Sequence, residues 1–377
     1  MRNSSGVSRL LIVSGSRADY GLLETLHREA MVRTDCLSEL VRLAPSQPYR
    51  FLSRDLVGSA ARENFARGES RVLEFVSDAI ETSSQLIGSF HPDVVVVLGD
   101  RIEILAPCIA ATVWRIPVAH FCGGDVGAGT IDNLIRSAVS KLAHLHFVTH
   151  EEAARRVTEL GEDPSRIFNV GSLAVDGWQR RMVLNREQVL SELGFTSLDR
   201  FCLVTCHPCA LDEKPDSEVI SVLREMIREI TENGRKVVLT LPNLEVRSRE
   251  FESGLKLIAE DDPHRAVVVT NELGHTRYLA YLEYADFILG NSSSGLYEAP
   301  LARKPTINIG FRQRGRSHGD SVIHCSWDVL EIREALRALE DCDFAFTYPY
   351  GVGGTASRAL DLMIRKTPEV DLEKKPK

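Results

Sequence analysis

The stretch SRVLEFVSDAIETSSQLIGSFHPDVVVVLGD, residues 70–100, contains two hydrophobic patterns that together indicate the fold class. Apolar residues recur every three or four positions up to Phe90, which predicts an amphipathic helix. A continuous run of valine and leucine follows between Asp93 and Gly99, and it predicts a strand that is buried on both faces. A helix followed at once by such a strand is typical of a parallel sheet with helices packed on its faces.

The same alternation extends in both directions along the chain. Helical patterns such as SEVISVLREMIREITENG, residues 217–234, separate short strands that are bounded by Gly, Pro, Asn or Asp. The predicted strands are Arg9–Ser14, Asp93–Gly99, Pro117–Phe121, Leu145–Thr149, Ile167–Val170, Phe201–Thr205, Lys236–Leu241, Ala266–Thr270, Phe287–Gly290 and Thr306–Ile309. No strand is predicted in residues 31–60.

The alternation restarts near residue 200, which predicts two doubly wound α/β domains, residues 1–175 and 176–365. The last helix, ASRALDLMIRK, is expected to cross back onto the first domain, and residues 366–377 to form a polar tail. In such sheets ligands bind at the carboxyl ends of the strands. We therefore predict an α/β protein with two Rossmann-like domains around an interdomain cleft.

The composition limits the possible function classes. Of 377 residues, 44% are hydrophobic and 26% charged, and the net charge is −8, which is typical of a globular protein without a basic nucleic-acid surface. The apolar runs are too short for a membrane span, and the N-terminal run is too short for a signal peptide. These features predict a cytoplasmic protein that contacts neither membrane nor nucleic acid.

One cysteine cluster needs a separate interpretation. Cys206 and Cys209 have redox-motif spacing, and with Cys202 and His207 they suggest a zinc site. No second Cys/His pair at zinc spacing follows them. We predict reduced thiols, and leave redox or metal chemistry as the alternative.

Four polar clusters follow predicted strands directly. Arg17 lies in Ser14–Gly21 and can bind phosphate through its guanidinium fork, and a surface turn is the alternative interpretation of this cluster. Asp100 is either a helix N-cap or a catalytic carboxylate. In FCGGDVGAGTIDNLIRS, residues 121–137, Asp132 and Arg136 share a helix face, as a surface ion pair would. His207 can act as an acid, a base or a phosphate donor.

The fifth cluster is FILGNSSSGLYEAPLARKPTINIGFRQRGR, residues 287–316. Small hydroxyl residues after a strand expose backbone N–H groups to an anion at the start of a helix. We expect Glu298 in the first turn of that helix, where it can accept hydrogen bonds from a ribose, and Arg312 to add positive charge. The alternative is an N-capped helix followed by a basic loop. Walker and dinucleotide-binding fingerprints are both absent from the sequence.

Together these motifs resemble the hydrolysing UDP-N-acetylglucosamine 2-epimerase family, which includes enzymes of the bacterial sialic-acid pathway. The resemblance extends over residues 9–365. It is carried by GSRADYGLL (15–23), GDRIE (99–103), HFCGGDVGAGTIDNLIRSAVSKLAHLHF (120–147), HP (207–208), GNSSSGLYEAP (290–300) and KPTINIGFRQRGR (304–316).

The resemblance implies a GT-B architecture and a role in amino sugar metabolism. It implies that UDP-GlcNAc or a related UDP-sugar loses UDP by elimination across C1–C2, and that the resulting glycal adds water to give the free C2 epimer, of the ManNAc type. It implies neither metal nor organic cofactor, and a homodimer or higher homo-oligomer. A nucleotide-sugar hydrolase, a GT-B glycosyltransferase and a non-catalytic nucleotide-sugar-binding protein are the alternatives.

The resemblance also assigns residues. It implies catalytic positions at Asp100, Asp125, Asp132, His207 and Arg136, and UDP-binding positions at Arg17, Asn243, Ser292, Ser293, Glu298 and Arg312. Among these, we expect Asp100 and Asp132 to handle protons and His207 to touch the phosphates, and leave open which carboxylate abstracts the C2 proton.

Three departures from the family pattern concern the sugar side. The residue after Gly124 is Asp125, where the family has a glutamate. The shorter aspartate side chain withdraws the carboxylate by roughly 1.5 Å, the length of one bond. Ser137 follows Arg136 where the family has a histidine. Residues 31–60 lack the family's Gly-x-His-Leu motif. We expect a remodelled sugar pocket and better-retained UDP recognition.

Overall fold

The computed structural model describes residues 7–43, 68–127, 131–208, 214–241, 248–270 and 273–374. The chain divides into two compact units, each with its own six-stranded sheet. Unit 1 comprises Met1–Asp125, Asp132–Leu173 and Val352–Lys377, and unit 2 comprises Val126–Ile131 and Ala174–Gly351. All strand pairings within both sheets are parallel. The predicted class, two doubly wound Rossmann-like α/β parts, is confirmed.

The strands are β1 (Ser8–Ser14), β2 (Cys36–Arg42), β3 (Val94–Leu98), β4 (Val118–Phe121), β5 (Leu145–Val148), β6 (Ile167–Asn169), β7 (Arg200–Thr205), β8 (Arg235–Thr240), β9 (Val267–Thr270), β10 (Ile288–Gly290), β11 (Thr306–Ile309) and β12 (Val322–Cys325). Their order is β2-β1-β3-β4-β5-β6 in the sheet of unit 1 and β12-β11-β10-β7-β8-β9 in the sheet of unit 2. All ten predicted strands are present, with ends shifted by at most one residue.

Two strands were missed, and both lie at sheet edges. β2 falls in residues 31–60, where no strand is predicted, and its sequence CLSELVR is mostly half-buried or exposed. β12 has the sequence VIHC, with His324 exposed. Both sequences include polar residues, so they lack the continuous apolar run that identifies a strand buried on both faces. The remainder of the difficult segment, residues 44–60, lies outside the described residues.

Helices connect the strands in both units. They are α1 (Arg17–Met31), α2 (Gly68–Phe90), α3 (Leu105–Trp114), α4 (Asp132–Leu142), α5 (Glu151–Glu159), α6 (Leu173–Gln179), α7 (Arg186–Glu192), α8 (Asp216–Glu232), α9 (Ser248–Glu260), α10 (Gly274–Tyr284), α11 (Ser294–Tyr297), α12 (Val329–Asp341) and α13 (Thr355–Lys366). Single 3₁₀ turns occur at Ile102–Ile104, Pro164–Arg166 and Thr367–Glu369.

The sheet of unit 1 buries alternate residues on its two faces. Leu10 and Ile12 of β1 join a cluster that includes residues of α1 and α13, whereas Leu11 and Val13 join a cluster with residues of α2, α3 and α4. This division follows because successive side chains of a strand point to opposite faces. Unit 2 repeats the arrangement, with β7 contributing Cys202 and Val204 to one cluster and Phe201 and Leu203 to the other.

The last helix, α13, belongs to unit 1 and packs beside α1. Its first residue, Thr355, donates from Oγ1 to the carbonyls of Val170 and Ser172, at 3.0 and 3.2 Å. Arg358 donates to the Val170 carbonyl at 2.6 Å. These bonds satisfy carbonyls beyond the end of β6, and Leu360 completes the attachment as a fully buried core residue.

A buried charge cluster lies around Glu162 in unit 1. Its carboxylate accepts hydrogen bonds from Lys141 and Lys374, both at 2.6 Å, and from His146 Nε2 at 3.2 Å. Despite burial, these donors lower the pKa of Glu162 to about 2. Lys374 thereby holds residues near the C-terminus against the body of unit 1.

Other features considered from the sequence are absent from the described parts of the chain. The seven cysteines described there are thiols rather than disulfides, while Cys209 lies outside those parts. Within the same residues, no group of three or more His, Cys, Asp or Glu side chains is arranged to hold a metal ion. None of the helices described is both long and apolar enough to cross a bilayer.

Replacing Leu360 tests the attachment of α13. We expect Leu360→Ala to lower the free energy of unfolding by about 3 kcal/mol. The Leu360 side chain is fully buried, so its removal leaves a cavity in the core. Leu134→Ala is the matched control, since Leu134 lies on α4 of the same unit and is 74% exposed. Urea unfolding measures both changes, and equal effects of the two substitutions would contradict the packing of α13.

Replacing Glu162 tests the charge cluster. A carboxyl group whose folded pKa is depressed stabilises the protein above its unfolded pKa of about 4.3, and this contribution disappears as pH falls towards the folded value. We expect Glu162→Gln to be less stable than wild type at pH 7. The difference should shrink below about pH 4.5. Unfolding measured from pH 7 to pH 3 checks this, and a pH-independent difference would refute it.

Candidate functional site

The carboxyl end of β3 presents Asp100 to a buried arginine. Asp100 follows Gly99, and its carboxylate forms an ion pair with the guanidinium of Arg136 on α4. The next short helix has Arg101 as its N-cap, so Asp100 does not cap it. Of the two interpretations of Asp100, the N-cap is therefore wrong.

Arg136 connects two loops of unit 1. It is buried, and its Nη1 donates to the backbone carbonyl of Asp125 at 2.5 Å and to Asn133 Oδ1 at 2.8 Å. The surface ion pair considered for Arg136 is therefore wrong. A buried guanidinium is costly unless it is paired and hydrogen-bonded, so Asp100 and the loop carbonyl are obligatory partners.

Asp125 is buried at the end of the loop that follows β4. Its Oδ1 accepts a hydrogen bond from Thr149 Oγ1 at 2.7 Å and lies 3.8 Å from His150 Nδ1. Burial lowers the pKa of His150, and the Asp125 charge partly offsets this effect. Neither Thr149 nor His150 was predicted as a site residue, although Thr149 ends a predicted strand.

The glycines of this loop are required by packing. Gly124 has φ of 76°, and a Cβ there would lie 2.2 Å from the carbonyl oxygen of Ala153 on α5. A Cβ at Gly123 would lie 3.1 Å from Ser140 Oγ. In addition, Arg156 donates to the Gly124 carbonyl at 3.1 Å. The loop thus packs closely against its own unit. This packing accounts for the absence of side chains at Gly123 and Gly124, and no bound ligand is needed to explain it.

A second cluster of polar side chains lies near Asp132, the first residue of α4. Ser16 donates to Asp19 Oδ2 at 2.7 Å, and Arg101 pairs with the buried Glu103 at 2.7 Å. Burial raises the pKa of Asp19, Arg101 opposes this rise, and the charges of Glu103 and Asp132 add to it. Sequence reasoning missed this electrostatic group, although its residues lie in the RADYG and GDRIE motifs.

His120 of β4 supports the loop that carries Asp100. Its Nε2 donates to the Gly99 carbonyl at 2.8 Å, and its Nδ1 lies 3.1 Å from Ser140 Oγ. Burial lowers the pKa of His120 to about 3, so the ring is neutral at pH 7. Since Nε2 is the donor, Nδ1 accepts the Ser140 hydroxyl proton.

In unit 2, Asn291 holds the backbone of His207. Asn291 Oδ1 accepts from the His207 N–H at 2.7 Å, and Asn291 Nδ2 donates to the His207 carbonyl at 2.8 Å. The two residues follow β7 and β10, which are neighbours in the sheet. Gly290 allows this approach, because a Cβ there would lie 2.1 Å from the Thr205 carbonyl.

Arg312 lies on the loop after β11 and reaches the same asparagine. Arg312 Nη1 and Gln313 Nε2 donate to the backbone carbonyl of Asn291, at 3.3 and 2.8 Å. The same loop contacts the short segment of unit 2 that begins at Val126, whose carbonyl accepts from Arg316 at 2.6 Å. Unit 2 therefore brings His207 and Arg312 together around Asn291.

The predicted helix after β10 is only one turn long. Ser293 is its N-cap, and Ser292 Oγ accepts from the Ser294 N–H at 3.3 Å. Glu298 is the C-cap, so its predicted position in the first turn of a longer helix is wrong. It is buried, and its Oε1 lies 3.9 Å from His275 Nε2.

Two of the predicted UDP-binding residues, Arg17 and Asn243, have side chains that lie outside the described residues. The backbone of Arg17 begins α1, but its side chain lies outside the description. Asn243 falls in residues 242–247, which also lie outside the described residues.

Comparison with known proteins identifies the family. The family model described as UDP-N-acetylglucosamine 2-epimerase matches residues 51–364. A relative from Campylobacter jejuni, GDP/UDP-N,N'-diacetylbacillosamine 2-epimerase (hydrolyzing), is 30% identical over 89% of this chain and 88% of its own length. The polysialic acid biosynthesis protein P7 of Escherichia coli is 29% identical over 90% of this chain and 88% of its own.

Solved structures show the same fold at low sequence identity. The UDP-GlcNAc 2-epimerase of Methanocaldococcus jannaschii, in complex with UDP-GlcNAc and UDP, has a TM-score of 0.75 at 18% identity, covering 95% of this chain and 99% of that one. The Neisseria meningitidis enzyme bound to UDP-GlcNAc has a TM-score of 0.75 at 14% identity, covering 95% and 100%. The chain thus belongs to the UDP-N-acetylglucosamine 2-epimerase family and is an enzyme of that type.

Proposed function

We propose that the enzyme is a hydrolysing 2-epimerase that converts UDP-GlcNAc, or a close UDP-linked 2-acetamido sugar, to UDP and the free C2 epimer. The observation that best supports this is the arrangement of Asp100 and Asp125 about the buried Arg136. Arg136 binds the side chain of Asp100 and the backbone carbonyl of Asp125, so it holds both carboxylate-bearing loops. The matched family and the name of the hydrolysing relative from Campylobacter jejuni agree with it.

The reaction has two steps that need different groups. In the first, a base takes the proton from C2, its electron pair forms the C1=C2 bond, and the C1–O bond breaks as UDP leaves. In the second, water adds its hydroxyl to C1 and a proton returns to C2 from the opposite face. We propose that Asp100 and Asp132 handle these protons, because carboxyl groups can act as the general acid and base of such steps.

Unit 2 supplies the groups that we propose for UDP. Arg312 carries a fixed positive charge for the phosphates and His207 adds a donor, because negative charge grows on the leaving UDP as the C1–O bond breaks. Ser292 and Ser293 lie beside this pair and offer hydroxyl and backbone donors. We assign the ribose to Glu298, and keep Arg17 and Asn243 as further proposed contacts.

The sugar is the least constrained part of the proposal. The Campylobacter jejuni relative is named for N,N'-diacetylbacillosamine, which differs from GlcNAc at C4 and C6. Asp125 in place of glutamate also points to a changed sugar pocket. We therefore propose UDP-GlcNAc and UDP-N,N'-diacetylbacillosamine as the first two substrates to compare. We also propose a cytoplasmic homodimer, which fractionation and light scattering would test.

Reaction in D₂O tests the proposed function. With either UDP-sugar, we expect proton NMR to show free sugar of inverted C2 configuration carrying deuterium at C2, because the C2 proton is exchanged during the reaction. Unlabelled sugar with retained C2 would instead show a nucleotide-sugar hydrolase. UDP binding without release of UDP from either sugar would show a non-catalytic binding protein.

Replacing Asp132 tests the proton assignment. We expect Asp132→Asn to reduce kcat at least 100-fold, on the order of the loss of a general base, while the Kd for UDP stays within about twofold. The control is Glu151→Gln, which removes an exposed carboxylate from α5 of the same unit. Full activity of the Asp132 variant would contradict the assignment.

Replacing Arg312 tests the UDP assignment separately. We expect Arg312→Gln to weaken UDP binding about 10- to 100-fold, the usual range for losing a charge-assisted hydrogen bond. Arg314→Gln is the matched control, because Arg314 lies two residues away and is exposed. Calorimetry with UDP measures both, and equal affinities of the two variants would refute the role of Arg312.

A further inference from the structure

The carboxylate of Asp125 is the last group of a short hydrogen-bonded chain. Thr149 Oγ1 lies 2.7 Å from Asp125 Oδ1, and His150 Nδ1 lies 2.8 Å from the same hydroxyl oxygen. Asp125 and Thr149 are buried, and the His150 side chain is only 10% exposed. The three side chains are therefore ordered by one another inside unit 1.

The number of available protons decides which atom donates in each of these hydrogen bonds. A carboxylate only accepts, so the single hydroxyl proton of Thr149 is donated to Asp125. The hydroxyl oxygen must then accept from His150, which places a proton on Nδ1 of that ring. Burial lowers the pKa of His150. The neutral ring with its proton on Nδ1 is consequently the form expected at pH 7.

The backbone fixes both residues. Thr149 follows β5, which pairs with β4, and the loop bearing Asp125 follows β4. His150 is the N-cap of α5 in an extended conformation, and Ala153 of the same helix packs against Gly124. The chain of hydrogen bonds thus lies on the elements that hold the Asp125 loop in place.

We propose that Thr149 and His150 are positioning residues that hold the Asp125 carboxylate for the sugar chemistry, and this rests on the proposed function. The bond from Thr149 stops the carboxylate from rotating. His150 orients the Thr149 hydroxyl. This orientation matters because a misplacement of about 1 Å at a reacting centre can cost on the order of 100-fold in rate.

Substitution at Thr149 tests the proposal by activity. Thr149→Val preserves shape but removes the hydroxyl, and we expect kcat to fall about 10- to 100-fold with KM and the UDP Kd within about threefold. Thr149→Ser restores the hydroxyl and should recover most of kcat. Thr158→Val is the control, because Thr158 is an exposed threonine of α5. Wild-type kcat in Thr149→Val would overturn the proposal.

Substitution at His150 tests the proposed hydrogen bond from His150 to the Thr149 hydroxyl. We expect His150→Leu to lower kcat less than Thr149→Val does. His150→Asn should recover activity, because the asparagine amide places an N–H near the position of Nδ1. Equal activity of the leucine and asparagine variants would remove His150 from the proposal.

A readout that needs no turnover separates this proposal from the proposed function. Nitrogen NMR of histidine-labelled protein should show His150 protonated at Nδ1 and not at Nε2 at pH 7, with a changed Nδ1 signal in Thr149→Val. The opposite tautomer would overturn the hydrogen-bonded chain even in an active enzyme. Conversely, the expected tautomer in a protein inactive on every UDP-sugar would refute only the proposed function.

Discussion

The pairing of short parallel strands that are buried on both faces is the constraint on which both units depend. Such strands are mostly apolar along their length, so most of the polar residues proposed for the site lie in the loops at their ends. Asp100, Asp125, Thr149, His207 and Asn291 all follow strands in this way. The same backbone hydrogen bonds that hold each sheet together also determine which of these loops are neighbours.

Each unit then relies on one buried polar side chain to order its loops. In unit 1, the guanidinium of Arg136 binds the Asp100 side chain and the Asp125 backbone. In unit 2, the side-chain amide of Asn291 binds both backbone groups of His207, and the backbone carbonyl of Asn291 accepts from Arg312. Removal of either side chain would leave buried polar partners unsatisfied, which is costly. The chemistry proposed for each unit is therefore tied to its stability.

The central strands and the strand-end motifs could be predicted from the sequence, because burial on both faces produces uninterrupted apolar runs. Edge strand β2 could not, since its outer side is solvated and its pattern is mixed. The position of Glu298 was wrong because a one-turn helix, α11, has no periodicity that marks its end. Thr149 and His150 were missed as site residues because a threonine and a histidine after a strand carry no motif of their own.

The sequence by itself determined the α/β class, ten of the twelve strands described and the family, because these depend on local periodicity and on motifs of consecutive residues. Only the tertiary structure decided that Arg136 turns away from solvent to meet Asp100, that Gly124 is needed by Ala153, and that Thr149 holds Asp125. These pairings join loops from different strands, and hydrogen bonds of this kind depend on distances that arise only when the sheet has formed.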